Sequence, residues 1–373
     1  MTRHTPSSLA EFHPLEERRL MAATTFTVTD LVSDTGVGGS RTDANLVNGW
    51  GLAPAPSGGP WWVASAGKGL SLAFNGTGDQ VSVNVTIPPT AGGTTSSPTG
   101  VVMNPGAGFV VSKGGASAPS EYVFVTEDGT VNGWSSAVDP ANAIQKVDNS
   151  ASGAVYKGAA IATRRHHAML YVADFHNARI DVFDSAFAQA PHRRHAFRDA
   201  ALPAGYAPFN VANVNGFLYV SYALQDSAAH DDVGGPRHGF VDVFDTAGTL
   251  VKRFASRGSL DSPWAMVTAP ADFGTFAGDL LVGNFGNGKV SAFNHRGRFM
   301  GFLSDANSQP LEIPGLWGLA FGNGATAGPT GTMFFAAGPN DENDGLFGSV
   351  TADQPTTTTG GGTGGTGGIY TMM

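Results

Sequence analysis

The residues best suited to chemistry are oxygen donors that recur just after short apolar runs: Glu127 and Asp128, Asp174 and Asn177, Gln225 and Asp226, Asn284 and Asn287, and Asn340, Asp341 and Glu342. Carboxylates and amide oxygens converging in a chain without Cys suit a hard cation, Ca²⁺ or Mg²⁺, rather than zinc or copper. Glu127, Asp174, Asn284 and Glu342 are the expected ligands of such an ion, with Asp128, Asn177, Asp226, Asn287 and Asn340 placed to contact a bound small molecule. The same residue types also cap turns by bonding their own backbone, so both readings stand at this level.

Histidine offers a second chemistry. The chain has 10 His, clustered as His166-His167, His192 and His195, and His230 with Asp231-Asp232 and His238. His230 with Asp232 is a pair able to hold a metal or serve as a general base. Arg164-Arg165-His166-His167 and His192-Arg193-Arg194-His195 read as solvated insertions in loops. No Gly-x-Ser-x-Gly elbow and no Gly-rich loop ending in Lys-Ser or Lys-Thr is present, so neither serine-hydrolase nor P-loop chemistry is indicated, and catalytic residues stay unassigned.

The elements that must position these residues come from a repeat. An aromatic or small residue, then Gly or Ala, then an apolar pair recurs six times, with Lys in first place in the third copy and Asn in second place in the fourth, at Trp50-Gly51-Leu52-Ala53, Thr99-Gly100-Val101-Val102, Lys157-Gly158-Ala159-Ala160-Ile161, Phe209-Asn210-Val211-Ala212, Trp264-Ala265-Met266-Val267 and Trp317-Gly318-Leu319-Ala320. Each copy is followed by a continuously apolar run such as Tyr122-Val123-Phe124-Val125, then by a run alternating polar and apolar such as Arg179-Ile180-Asp181-Val182-Phe183. The first pattern is a strand buried on both faces and the second a half-buried strand. Asn75-Gly76, Asp128-Gly129, Asn215-Gly216 and Asn287-Gly288 supply the turns.

Six copies predict an all-β, six-bladed β-propeller of four-stranded antiparallel blades spanning residues 25–353. The fourth strand of each blade is the variable stretch before the next copy, such as Gln80-Val81-Ser82-Val83-Asn84-Val85. The last repeat has no such stretch of its own, so the strand Thr25–Asp30 is expected to fill the place and close the ring between the two chain ends. Trp50, Trp264 and Trp317 fall in the repeat and read as core, while Trp61 or Trp62 is a candidate for an exposed sugar-binding face. Composition agrees with short strands and tight turns: 52 Gly, 22 Pro and 24 Phe with only 14% charged residues.

The formal charge of −9 without a basic run argues against a nucleic-acid partner. No run of about eighteen apolar residues predicts a membrane-spanning helix. Residues 1–24 read as a disordered leader or export-type segment, without the apolar stretch of a standard signal peptide, and residues 354–373 as a Thr/Gly-rich flexible tail.

Two resemblances follow from longer phrases. The segment Pro14-Leu15-Glu16-Glu17-Arg18-Arg19-Leu20-Met21-Ala22 is similar to the Leu-Glu-Pro-Arg-x-Leu-Leu type motif that opens large surface and exported proteins of planctomycete-like bacteria, with Glu17 where that motif has Pro and Met21 where it usually has Leu. The phrases Asp43–Ala53, Thr126–Trp134, Leu202–Asn210, Leu281–Gly288 and Gly345–Gly348 resemble a family of uncharacterised bacterial exported β-propellers, some with a C-terminal sorting tail. This resemblance implies export and a propeller but no established activity, and the chain lacks the Pro-Glu-Pro, apolar and basic parts of that tail. The expected function is an extracellular or cell-surface binding module, a monomer whose partner is an unknown small molecule, glycan or protein. The alternative is a metal-dependent hydrolase or lactonase with an oxygen-ligated cation on the propeller axis.

Overall fold

The computed structural model describes residues 24–55, 58–81, 84–191 and 194–353. The leader up to residue 23, the tail from residue 354, and the expectations for Ser82, Val83, His192 and Arg193 lie outside the described residues.

Six antiparallel sheets form a ring. Strand β1 (Phe26–Ser33) and the short β2 (Arg41–Thr42) precede the first blade, which is β3 (Gly49–Pro54), β4 (Trp61–Ser65), β5 (Leu70–Phe74) and β6 (Val85–Thr86). Blade two is β7 (Pro98–Met103), β10 (Tyr122–Thr126), β11 (Thr130–Trp134) and β12 (Ile144–Asp148), with an inserted hairpin of β8 (Val110–Lys113) and β9 (Ala116–Pro119). Blade three is β13 (Tyr156–Arg164), β14 (His167–Asp174) and β15 (Arg179–Asp184). Blade four is β16 (Tyr206–Val214), β17 (Phe217–Leu224), β18 (Phe240–Phe244) and β19 (Leu250–Ser256). Blade five is β20 (Pro263–Thr268), β21 (Leu280–Asn284), β22 (Val290–Phe293) and β23 (Phe299–Phe302). Blade six is β24 (Leu316–Phe321), β25 (Thr332–Ala337) and β26 (Leu346–Ala352), completed by β1.

The first strands β3, β7, β13, β16, β20 and β24 pack side by side around the axis. The ring closes where β1 pairs antiparallel with β26, Phe26 opposite Ala352 and Ser33 opposite Leu346. The edge that a free β26 would expose is thereby used.

Three features depart from the sequence reading. Among the described residues blade three has three strands, the described part of the stretch after β15 being rich in turns with an isolated bridge between Phe183 and Gln189. In blade one the described part of the fourth strand is Val85–Thr86. Trp61 and Trp62 face no sugar: both are buried, at 4.9 Å from the Phe334 ring and 4.6 Å from the Trp134 ring respectively. In a run sandwiched between neighbouring blades both faces are interior, so two adjacent Trp can both be core. Among the described residues no helix is long and apolar enough to cross a membrane.

Candidate functional site at the propeller axis

The repeat phrase owes its form to a β-bulge. In every blade the first strand carries one residue more than its partner strand at the same place, between Gly49 and Leu52, at Thr99–Gly100, and at Lys157, Phe209, Trp264 and Trp317. A bulge bends the strand and re-aims a side chain. The six bulges thus set Trp50, Thr99, Lys157, Phe209, Trp264 and Trp317 at one level of the ring, and all six are buried.

Most of these side chains make an aromatic plug. Trp317 stacks on Trp50 with ring centroids 3.7 Å apart and on Phe285 at 3.8 Å, and meets Phe209 at 5.6 Å and Trp264 at 6.0 Å. The Trp264 indole donates across the ring to the Lys157 carbonyl at 2.9 Å, and the Trp317 indole to Asn48 Oδ1 at 3.1 Å. Glycine follows the bulge where neighbouring inner strands come closest. A Cβ on Gly51 would lie 2.4 Å from the Thr99 carbonyl oxygen, and one on Gly158 would lie 2.0 Å from Asn210 Oδ1.

Lys157 is the charged member of this ring. Its side chain is 2% exposed, with Nζ 5.3 Å from the Trp50 ring centroid and 6.0 Å from that of Phe175. The ammonium pairs with Oε1 of Glu127, from the turn after β10, and lies 3.0 Å from Oδ1 of Asp231, from the long loop after β17. Burial works against its charge, but Glu127 and Asp231 together outweigh burial and hold the Lys157 pKa above its ordinary value. Asp231 is held below the usual carboxylate range, since Lys157 and then His230 outweigh its partial burial. The His230 Nδ1 lies 3.0 Å from the same Asp231 oxygen, and donor atoms of Glu127, His230 and Asp231 all lie within 4.8 Å of one another.

Glu342 completes the group. Its Oε2 accepts from Asn48 Nδ2 at 2.6 Å. Burial first, and then repulsion from Glu127, push its pKa up to about 7 against the attraction of Lys157. It sits at the end of three successive non-glycine residues in the left-handed region, Asn340 (φ 56°), Asp341 (φ 50°) and Glu342 (φ 65°). Such backbone costs on the order of 1 kcal/mol or more per residue and persists only where the surroundings enforce it.

Of the residues singled out in the sequence, Glu127 and Glu342 are brought together here. Asp174 and Asn284 turn their polar atoms elsewhere. Asp174 Oδ1 accepts from Val155 N at 3.3 Å and Asn177 N at 3.2 Å, and Asn284 Oδ1 accepts from Asp261 N at 2.9 Å. Each closes the second strand of its blade and clamps the loop leading into the first, as Ser65 does by accepting from Val47 N at 3.0 Å. Four of the remaining candidates spend side-chain atoms on loop geometry: Asp128 on Ser97 N, Asn177 on Asp174, Asp226 on His230 N, and Asn287 on Lys289 N. Asn340 is exposed, and its carbonyl accepts from Asn343.

Lys157 and Asn48 were not anticipated as site residues. The signal was available in the repeat: Lys157 precedes Gly158 as Trp50 precedes Gly51 and Trp317 precedes Gly318. A lysine at a position that four of the other five blades fill with an aromatic residue is out of place unless something buried pairs with it.

No family model matches the chain. The uncharacterised protein R648 of Acanthamoeba polyphaga mimivirus is 32% identical over 351 residues, covering 92% of this chain and 84% of that protein. Among solved structures, a Bacteroides thetaiotaomicron protein of unknown function is similar at a TM-score of 0.55 and 12% identity, covering 88% of this chain and 76% of that one. The GH93 α-L-arabinofuranosidase of Fusarium graminearum is similar at 0.52 and 12% identity, covering 83% and 94%. Those two likenesses show the fold alone, whereas at the identity and coverage of the viral relative the chain belongs to the same family as mimivirus R648.

Proposed function

We propose that this propeller is a binding module that takes a small amine-bearing ligand at the axial mouth. The observation that supports this most is the surplus of carboxylates around one fixed ammonium: Glu127, Asp231 and Glu342 arrive from three blades and meet Lys157 from a fourth. Lys157 already stands where an axial cation would sit and, being held protonated, is no nucleophile. Asp231 (64% exposed) and Glu127 (17%) keep carboxylate surface toward solvent, and an anionic mouth raises the local concentration of cations. The experiment is calorimetric titration of the full chain with glucosamine and with glucose. Saturable binding of glucosamine alone, lost in Asp231→Asn, supports the reading, and equal behaviour of the two sugars overturns it.

A second reading is favoured by the carboxylate oxygens of Glu127 and Asp231, which lie within 4.8 Å of one another and could hold Ca²⁺ or Mg²⁺ for a hydrolase, with His230 beside them. An ion present at about a hundred times its dissociation constant adds about 2.7 kcal/mol of stability, so a melt raised by Ca²⁺ and lowered by chelator separates this reading from the first. That the module works outside the cell, or on its surface, is a proposal resting on the two sequence resemblances. Fractionation of cells expressing the full chain tests it.

A further inference from the structure

Blade three, the one with three strands, leaves an opening at the rim. Val182 of β15 accepts from Ala190 N at 2.8 Å, and strand alternation turns the backbone of Ile180 to the same edge. In place of a fourth strand, the segment leading to blade four is tied down at a distance. Phe197 packs 5.7 Å from the Tyr171 ring and 5.4 Å from that of Phe244, its N–H donates to the Gly248 carbonyl at 2.8 Å, and Asp199 pairs with Arg253 of β19. Between the strand edge and this strap lies a cavity of about 550 Å³, within the size range of small-molecule sites.

The lining of that cavity is strongly basic. Arg164, Arg179, Arg194 and Arg198 all line it, so Arg164 and Arg194, thirty residues apart in sequence, meet there. Arg179 is neutralised by Asp181 at 2.7 Å and Asp174 at 3.2 Å. Among the described residues Arg164, Arg194 and Arg198 take part in no ion pair, and the nearby Asp199 is engaged by Arg253. Three guanidinium groups outside any ion pair thus line one cavity in a chain of net charge −9, a concentration of positive charge that an anion would share. Guanidinium forks and an open strand edge with N–H donors are the chemistry that recognises tetrahedral oxyanions.

We infer that this rim cavity binds a small molecule bearing a phosphate or sulfate group. Inorganic pyrophosphate, glucose 6-phosphate and glucose 6-sulfate are titrated calorimetrically into the full chain. The expected result is saturable binding of pyrophosphate, weakened at least about tenfold in R164A/R198A by the loss of charge-assisted hydrogen bonds, and unchanged in R41A, whose arginine is exposed elsewhere. The two sugar esters then tell which oxyanion the site prefers. A melting temperature equal to that of the parent chain shows that R164A/R198A is folded, and where it is not, the exposed Arg194→Ala serves in its place. No saturable heat with any of the three compounds overturns the inference, as does an affinity that the arginine variants leave unchanged.

Discussion

The Lys157 ammonium lies 3.0 Å from Oδ1 of Asp231, a residue 74 positions further on that reaches it from the next blade. With Glu127 on its other side, this lysine ties the second, third and fourth blades together at the axis. Replacing it by Met keeps the length and the contact with Trp50 but leaves Glu127 with a carboxylate and no counter-charge. Breaking a buried pair from one side costs about 3–5 kcal/mol; Asp231 can return to water, so the lower part of that range is expected for Lys157→Met. Chemical denaturation reads it directly. A variant as stable as the parent would mean that the lysine is dispensable to the axis.

Glu342 makes stability depend on pH. Its carboxyl titrates near 4.5 in an unfolded chain and is pushed up to about 7 here, so the folded state holds the proton more tightly. Its contribution is therefore fully present below pH 4.5 and is lost as pH rises through 7, by roughly 3 kcal/mol in all. Glu342→Gln keeps an acceptor for Asn48 and never ionises. At pH 8 it should melt higher than the parent, and at pH 4 the two should coincide. A difference that does not change across this range would refute the assignment.

How much of this was legible in the sequence depends on the kind of information involved. Alternation and Asn-Gly turns are local and marked strands such as the one at Arg179–Asp184, while the sixfold count rested on the six copies of the repeat phrase. Closure was readable too, since the last repeat lacked a strand and Phe26 began one. The axial group was legible only in part, because a bulge leaves no mark in composition and its effect is to decide which side chain turns inward. Glu127 and Glu342 lie in the turns just past the second strands β10 and β25, whereas Asp174 and Asn284 are the last residues of their second strands and bond the incoming loop. The missing strand of blade three was hidden by the same limit. The stretch carrying Phe197 and Asp199 is held by Gly248 and Arg253, contacts that no local pattern announces.

Arg253 is the tie that holds this stretch. Its guanidinium pairs with both Asp199 and Asp242, whose side chains are 6% and 0% exposed, and it lies 4.8 Å from the Phe240 ring centroid. Burial pushes the Asp242 carboxyl up to about 6 in spite of the arginine. Arg253→Met should therefore cost about 3–5 kcal/mol at pH 8, by stranding two buried carboxylates. The loss should shrink below pH 6, where Asp242 accepts a proton. Parallel melts at pH 5 and pH 8 test both parts, and an equal loss at the two values would show that packing on Phe240 matters and charge does not.

Closure of the ring rests on a few contacts of the first strand. Phe26 is 2% exposed, lies 5.1 Å from the Phe273 ring and 6.0 Å from the Phe276 ring, and its N–H donates to the Ser304 carbonyl at 2.9 Å. The first strand therefore completes blade six and also packs on blade five, so the two chain ends and two blades share one side chain. Phe26→Ala removes a buried ring from a site that strands on both sides prevent from collapsing, and a cost of about 3–5 kcal/mol is expected. Because each blade leans on its neighbours, the loss should appear first as faster amide exchange in β26 and β23, ahead of global unfolding. Exchange that quickens evenly around all six blades would show instead that the ring opens as one unit and that the first strand is not its weakest joint.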